Sequence, residues 1–144
     1  MTPIEKRYQA TSLTVQKYRA RKFAWGACDC GKIAAFHARK FGWKVPKTGT
    51  YKSAIGARKY LKSLGVETLP ELLDKIGFAR IAPASSMMGD FVSFESDDPI
   101  GGVGIVIGGG KIMAFHEDHP GPVMIDADWS KVDRAWSVMV RDDG

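Results

Sequence analysis

The sequence has only two cysteines and three histidines in its 144 residues. It has no apolar run approaching the roughly 18 residues of a membrane-spanning helix, no internal repeat and no low-complexity tract. Its opening residues, MTPIEKRYQATSL, hold no apolar core of signal-peptide type. These absences exclude a disulfide mini-protein, a solenoid and a helical membrane protein. They set the expectation of a soluble chain with no secretion signal of its own. What is present is ordinary for a globular domain: 44% hydrophobic and 26% charged residues. A chain of this size buries a core without disulfide staples or a structural metal, so one domain over residues 1–144 is expected.

Charge is unevenly spread. Residues 1–80 carry 17 Lys and Arg against 5 Asp and Glu, and residues 81–144 carry 4 against 11. A basic front half and an acidic back half fit either an anionic partner or two faces of one domain that attract each other. Lys17, Arg19, Arg21 and Lys22, with Tyr18 and Phe23, form a basic aromatic stretch. No recognised nucleic-acid motif accompanies it, so a solvated helix face is expected there and nucleic acid is not an expected partner.

The first half reads as helices. The spacing predicts a helix over 5–20, with Tyr8, Leu13, Val15 and Tyr18 partly buried. A loop over 23–29 leads to Asp29, an N-cap for a helix over 30–41 that buries Ile33, Ala34, Phe36 and Phe41 and stops at Gly42. A loop over 43–50 follows. A third helix is expected over 51–64, with Ile55, Tyr60, Leu61 and Leu64 in the core. A short fourth runs from Thr68 to Ile76, with Pro70 in its first turn and Gly77 as its stop. After residue 78 the pattern changes to strands, at 90–95, 103–107, 111–115, 122–125 and 134–140. Gly108-Gly109-Gly110 makes a tight hairpin turn rather than a phosphate-binding loop, since no Gly-Lys-Ser/Thr follows. Helices followed by a meander define an α+β domain.

The two cysteines sit in Ala27-Cys28-Asp29-Cys30-Gly31. One intervening residue makes a mutual disulfide strained, and two cysteines alone do not complete a four-ligand zinc site. A cysteine that opens a helix feels the positive end of the helix dipole and nearby backbone N–H groups, which favour thiolate. The alternative is that Cys30 is a small buried apolar residue. His116-Glu117-Asp118-His119, with Asp126 and Asp128 nearby, matches no zinc spacing. Asp126-Ala-Asp128-Trp-Ser130 opens like a calcium loop, but Lys131 stands where that loop needs glycine. A solvated acidic loop is the expectation, with no metal and no cofactor.

An aromatic, Trp25-Gly26, a short loop, then Asp29-Cys30 opening a helix resembles the NlpC-like cysteine peptidases of the papain fold. Further on, Gly89-Asp90-Phe91-Val92-Ser93-Phe94 and Gly102-Val103-Gly104-Ile105 are similar to that family's Gly-Asp strand and its His-Val-Gly-Ile strand. Ala135-Trp136-Ser137-Val138 resembles the C-terminal strand of phage tail-tip members. The resemblance spans residues 20–140. It implies a papain-like NlpC-type fold with N-terminal helices packed on a small antiparallel sheet. It also implies a cysteine hydrolase of cell-wall peptide associated with a phage tail. Its partners would be other tail proteins, and its location the virion or the bacterial cytoplasm as a prophage product. The alternative is a structural tail component that keeps the scaffold without the chemistry.

On this resemblance Cys30 is the nucleophile, preceded by Asp29. The family's histidine position is Gly102, which takes no proton, and the family's tyrosine position is Phe23, without a hydroxyl. A cysteine peptidase needs a base and a leaving-group acid. His37 lies seven residues beyond Cys30, about 10 Å along the same helix, too far for direct transfer. His119 falls in a His-Pro-Gly-Pro loop. His116, at the end of the strand after the glycine turn, is the candidate base or orienting group.

Overall fold

The computed structural model of the chain describes residues 1–47, 50–97, 100–115 and 119–140. Helix α1 (Pro3–Tyr18) starts earlier than the apolar spacing indicates, because a capping box forms ahead of it. The Thr2 hydroxyl accepts from Glu5 N and the Glu5 carboxylate accepts from Thr2 N, at 3.1 and 3.0 Å. The buried face also differs from expectation. Tyr8 and Leu13 are 65% and 43% exposed, while Arg7, Ala10, Thr11, Thr14 and Tyr18 are buried. These five still fall on one helical stripe, but two are small or short enough to bring α1 close to its neighbour and others carry bonding groups. Apolar periodicity is blind to such a face.

Helix α2 (Cys30–Lys40) is capped by Asp29, as expected, and buries Cys30, Ile33, Ala34, His37 and Ala38. Phe41 is buried beyond its end, and Phe36 is half-buried. Helix α3 (Ala54–Ser63) begins three residues later than the pattern indicates, because the Ser53 hydroxyl caps it. Ala57 and Leu61 make its buried face, and Ile55, an expected core residue, is 69% exposed. Helix α4 (Leu69–Ile76) follows the expected signals: Thr68 caps it, Pro70 lies in its first turn, and Gly77 ends it at φ 111°.

Six antiparallel strands follow: β1 (Ala79–Ile81), β2 (Phe91–Phe94), β3 (Gly102–Gly108), β4 (Lys111–Phe115), β5 (Pro122–Asp126) and β6 (Val132–Ser137). Their order in the sheet is β1-β6-β2-β3-β4-β5. The five expected strands are all present. Three-residue β1 is additional, too short to give an alternation, and pairs with β6. The last strand lies at 132–137, earlier than expected. Gly108, Gly109 and Gly110 form the β3–β4 turn at φ of 93°, 63° and 73°, a left-handed run that side chains resist. The architecture is α+β. Among the described residues no helix is long and apolar enough to cross a membrane.

The sheet has a core on each face. Val103, Ile105, Met113, Phe91 and Trp136 pack with α2's Cys30, Ile33 and Ala34. Val92, Val106, Ile112, Ala114, Val132 and Ala135 form a second cluster on the other face, with Phe94 against it. This is why Phe91, Val92 and Ser93 are all buried where the sequence shows simple alternation. Ser93 Oγ is satisfied by Asp133 at 2.6 Å.

Two buried polar pins join helices to sheet. The Asp90 carboxylate accepts from Arg7 Nη1 (2.8 Å), Met87 N (2.8 Å) and Val138 N (3.0 Å). His37 is fully buried, with Nε2 2.8 Å from Gly89 O and Nδ1 2.7 Å from Thr14 Oγ1. A carbonyl only accepts, so Nε2 carries the proton and bare Nδ1 accepts from the Thr14 hydroxyl. Burial draws the imidazole down to about 4, against the opposing effect of the Gly89 bond. His37 is therefore neutral at pH 7 and ties α1, α2 and the β2 approach together.

Candidate functional site

The segment before α2 is a tight loop held by its own backbone. Ala24 and Cys28 exchange bonds, with Ala24 N to Cys28 O at 3.0 Å and Cys28 N to Ala24 O at 2.8 Å. Gly26 turns at φ 79°, and a Cβ there would run into the Tyr51 carbonyl oxygen. Glycine is thus required twice over, by conformation and by contact.

Asp29 is fully buried and binds this loop to the helix. Its Oδ2 accepts from Gly26 N (2.8 Å), and its Oδ1 accepts from Lys32 N (2.8 Å) and the Tyr51 hydroxyl (3.2 Å). All three are bonds of an N-cap and a loop staple, so the geometry places Asp29 as the residue that positions Cys30. Tyr51 has no distinguishing pattern in the sequence. It reaches Asp29 because Ser53, not residue 51, starts α3. Burial first, then the charge and hydrogen bond of Asp29, hold its phenol well above the usual tyrosine range. The hydroxyl stays a donor at all working pH.

Cys30 is the first residue of α2, at the positive end of the helix dipole. Its thiol donates to Gly101 O at 3.8 Å. It lies 7% exposed in a small cavity between α2 and the sheet, shared with Val103, Gly104, Met113, Phe115 and Pro122. Cys28 is 2% exposed and makes no part of this wall. Burial raises its thiol, Arg21 opposes the rise and Asp29 adds to it. The two cysteines are not joined in a disulfide.

Phe23 contributes packing where the resembled family has a phenol. Its ring meets Trp25 and Phe115 edge-on at 5.0 and 5.3 Å, and its N–H donates to Pro120 O at 2.7 Å. The loop before α2 is thereby fastened to both ends of the β4–β5 connection.

The candidate residues divide as follows. Asp29 and Cys30 are adjacent at the start of α2. His116, with Glu117 and Asp118, lies outside the described residues. Its neighbour Phe115 lines the Cys30 cavity. His37 points into the core beside Phe41 and Phe91, where both its ring nitrogens are already bonded. His119 is exposed. Asp126 pairs with Lys111 at 2.9 Å, and Asp128 caps the turn at Ser130. Among the described residues no group of three could hold a metal ion.

Gly102 has a structural reason to lack a side chain. It sits opposite Phe94 in the β2–β3 ladder, and an added Cβ would lie 2.8 Å from Phe94 Cε2 and 2.9 Å from Ser96 Cβ. Val103 and Ile105 share the α2-facing core with Cys30, so strand alternation turns position 102 to the other face. Nothing in the sequence pattern announces that Phe94 fills this place.

An α+β domain with a cysteine at the start of a helix laid on an antiparallel sheet is the class defined by this geometry. Residues 4–138 match the model of the family described as Domain of unknown function (DUF6950), and the chain belongs to that family. No curated protein matches it.

Proposed function

We propose that this protein is a papain-like, NlpC-like cysteine hydrolase of cell-wall peptide associated with a phage tail. The observation that carries the chemistry is the place of Cys30: first residue of an α-helix, in a cavity walled by the residue that precedes His116. In this reading His116 takes the thiol proton, and the Cys30 sulfur attacks the peptide carbonyl. The Cys30 N–H at the helix start receives the developing oxyanion. His116 then protonates the leaving amine, and water cleaves the acyl–sulfur bond of the thioester, freeing the carboxylic acid and restoring the Cys30 thiol. Asp29 and Tyr51 hold the helix start in register and touch no reacting atom. The phage-tail setting rests on the sequence resemblance.

The test is hydrolysis of cell-wall stem peptides by Cys30→Ser and Cys28→Ser proteins. Cys30→Ser is expected to abolish turnover and Cys28→Ser to retain it. Equal turnover by wild type and Cys30→Ser would eliminate the covalent mechanism.

A second reading is a non-catalytic tail component on the same scaffold. It is favoured by the Phe94 ring that fills the Gly102 position. Exposed Ile4, Tyr8 and Met87 around α1 would supply its contact surface. A protein that stays monomeric with purified tail proteins counts against it.

A further inference from the structure

We infer that the outer face of α2, with the end of α1, binds a linear chain of phosphate groups by charge alone, without reading bases. Residues 17–47 hold nine Lys and Arg and one acid, Asp29, and that acid is fully buried. The sequence scatters these cations over a helix end, a loop and a second helix. The fold gathers four of them. Lys17 of α1 and Lys40 of α2 both lie on the Phe36 ring, with Nζ 4.2 and 4.9 Å from its centroid. Arg21 lies 5.5 Å from the Tyr18 ring, which in turn meets Phe36 edge-on at 5.6 Å. Arg39 acts on the same Tyr18 phenol as Arg21 and is fixed by a 3.1 Å bond to Pro46 O.

Lys17, Arg21, Arg39 and Lys40 are exposed, and none forms an ion pair with a carboxylate among the described residues. Of the other acids of the front half, Glu5 and Glu71 cap α1 and the approach to α4, and Asp74 holds Arg80. Like charges brought this close are stabilised by a multivalent anion, and a polymer that displaces their counterions gains by releasing its own. Proteins that stack bases offer open aromatic faces. Here the Phe36 ring already carries two ammonium groups, so the surface suits phosphates and not bases. The proposal is independent of any chemistry at Cys30.

The probes are inorganic polyphosphate and a dT oligonucleotide of equal charge, titrated against the full chain at several salt concentrations. Lys17→Glu/Lys40→Glu is the patch variant. Lys52→Glu/Lys62→Glu, just before α3 and in its last turn, is the control of equal charge change. The expected result is salt-dependent binding of both probes with similar affinity. The patch variant loses at least tenfold and shows a shallower salt slope, while the control loses less than threefold. Both variants should keep the wild-type unfolding transition. Absence of binding at low salt would overturn the proposal, as would equal loss in the two variants, which would mean net charge alone. Clearly tighter binding of the oligonucleotide would overturn the base-free reading and point to nucleic acid.

Discussion

Asp90 accepts a guanidinium and two backbone amides while 1% exposed. Removing it strands the buried Arg7 charge together with two N–H groups. Breaking a buried ion pair from one side costs about 3–5 kcal/mol, so Asp90→Ala should lower the unfolding free energy by that order in denaturant titration. His37 gives a second, pH-dependent test. Its folded value of about 4 lies below the ordinary 6.5, so between these the unfolded chain binds the extra proton. The His37 contribution is therefore intact above pH 6.5. It is lost as pH falls from 6.5 to 4, by about 3 kcal/mol in all. A His37→Gln protein should be less stable at pH 7 yet show a flatter decline across that window. Parallel slopes would refute the assignment. At Gly102 the obvious repair fails on steric grounds. Gly102→His should destabilise the fold by about 1–3 kcal/mol of overpacking and confer no gain in peptide hydrolysis, read by thermal unfolding and by turnover.

Helix α2 shows what a single element leaves legible in sequence. Asp29 as N-cap, the glycine after Phe41 and the stripe of Ile33 and Ala34 all act locally, so the pattern displays them. The same holds for α4, with Thr68, Pro70 and Gly77, and for the triple-glycine hairpin. What the pattern conceals is contact across the fold. Tyr51 meets Asp29 over 22 positions of chain, Arg7 meets Asp90 over 83, and Phe94 covers Gly102 from the neighbouring strand. The α1 stripe was concealed for the same reason. Its buried Arg7, Thr11 and Thr14 register as polar, and the groups that Arg7 and Thr14 bond, Asp90 and His37, lie on other elements. At the site the sequence located the helix start at Cys30 and its cap Asp29, but not the staple from Tyr51. Tyr51→Phe removes one bond to a buried carboxylate. It is expected to cost about 1–2 kcal/mol and to loosen the loop over 23–29, measured as faster amide exchange there.

For the whole molecule, the fold turns a lengthwise charge asymmetry into a surface. The basic front half packs helices on one face of the sheet and brings Lys17 of α1 to Lys40 of α2, whose first residue is Cys30. The sheet supplies the opposite wall of the cavity through Val103, Met113 and Phe115. Cys30 thus lies where the helical half meets the strand half. The central claim is that this cysteine is a nucleophile served by His116. Its most direct test is the pH dependence of Cys30 alkylation by iodoacetamide in Cys28→Ser protein, with and without His116→Ala. The account predicts a reaction profile with a midpoint well below the ordinary thiol value of about 8.5, displaced upward when His116 is removed. A thiol that is inert, or that titrates as an ordinary one and is indifferent to His116, would contradict it.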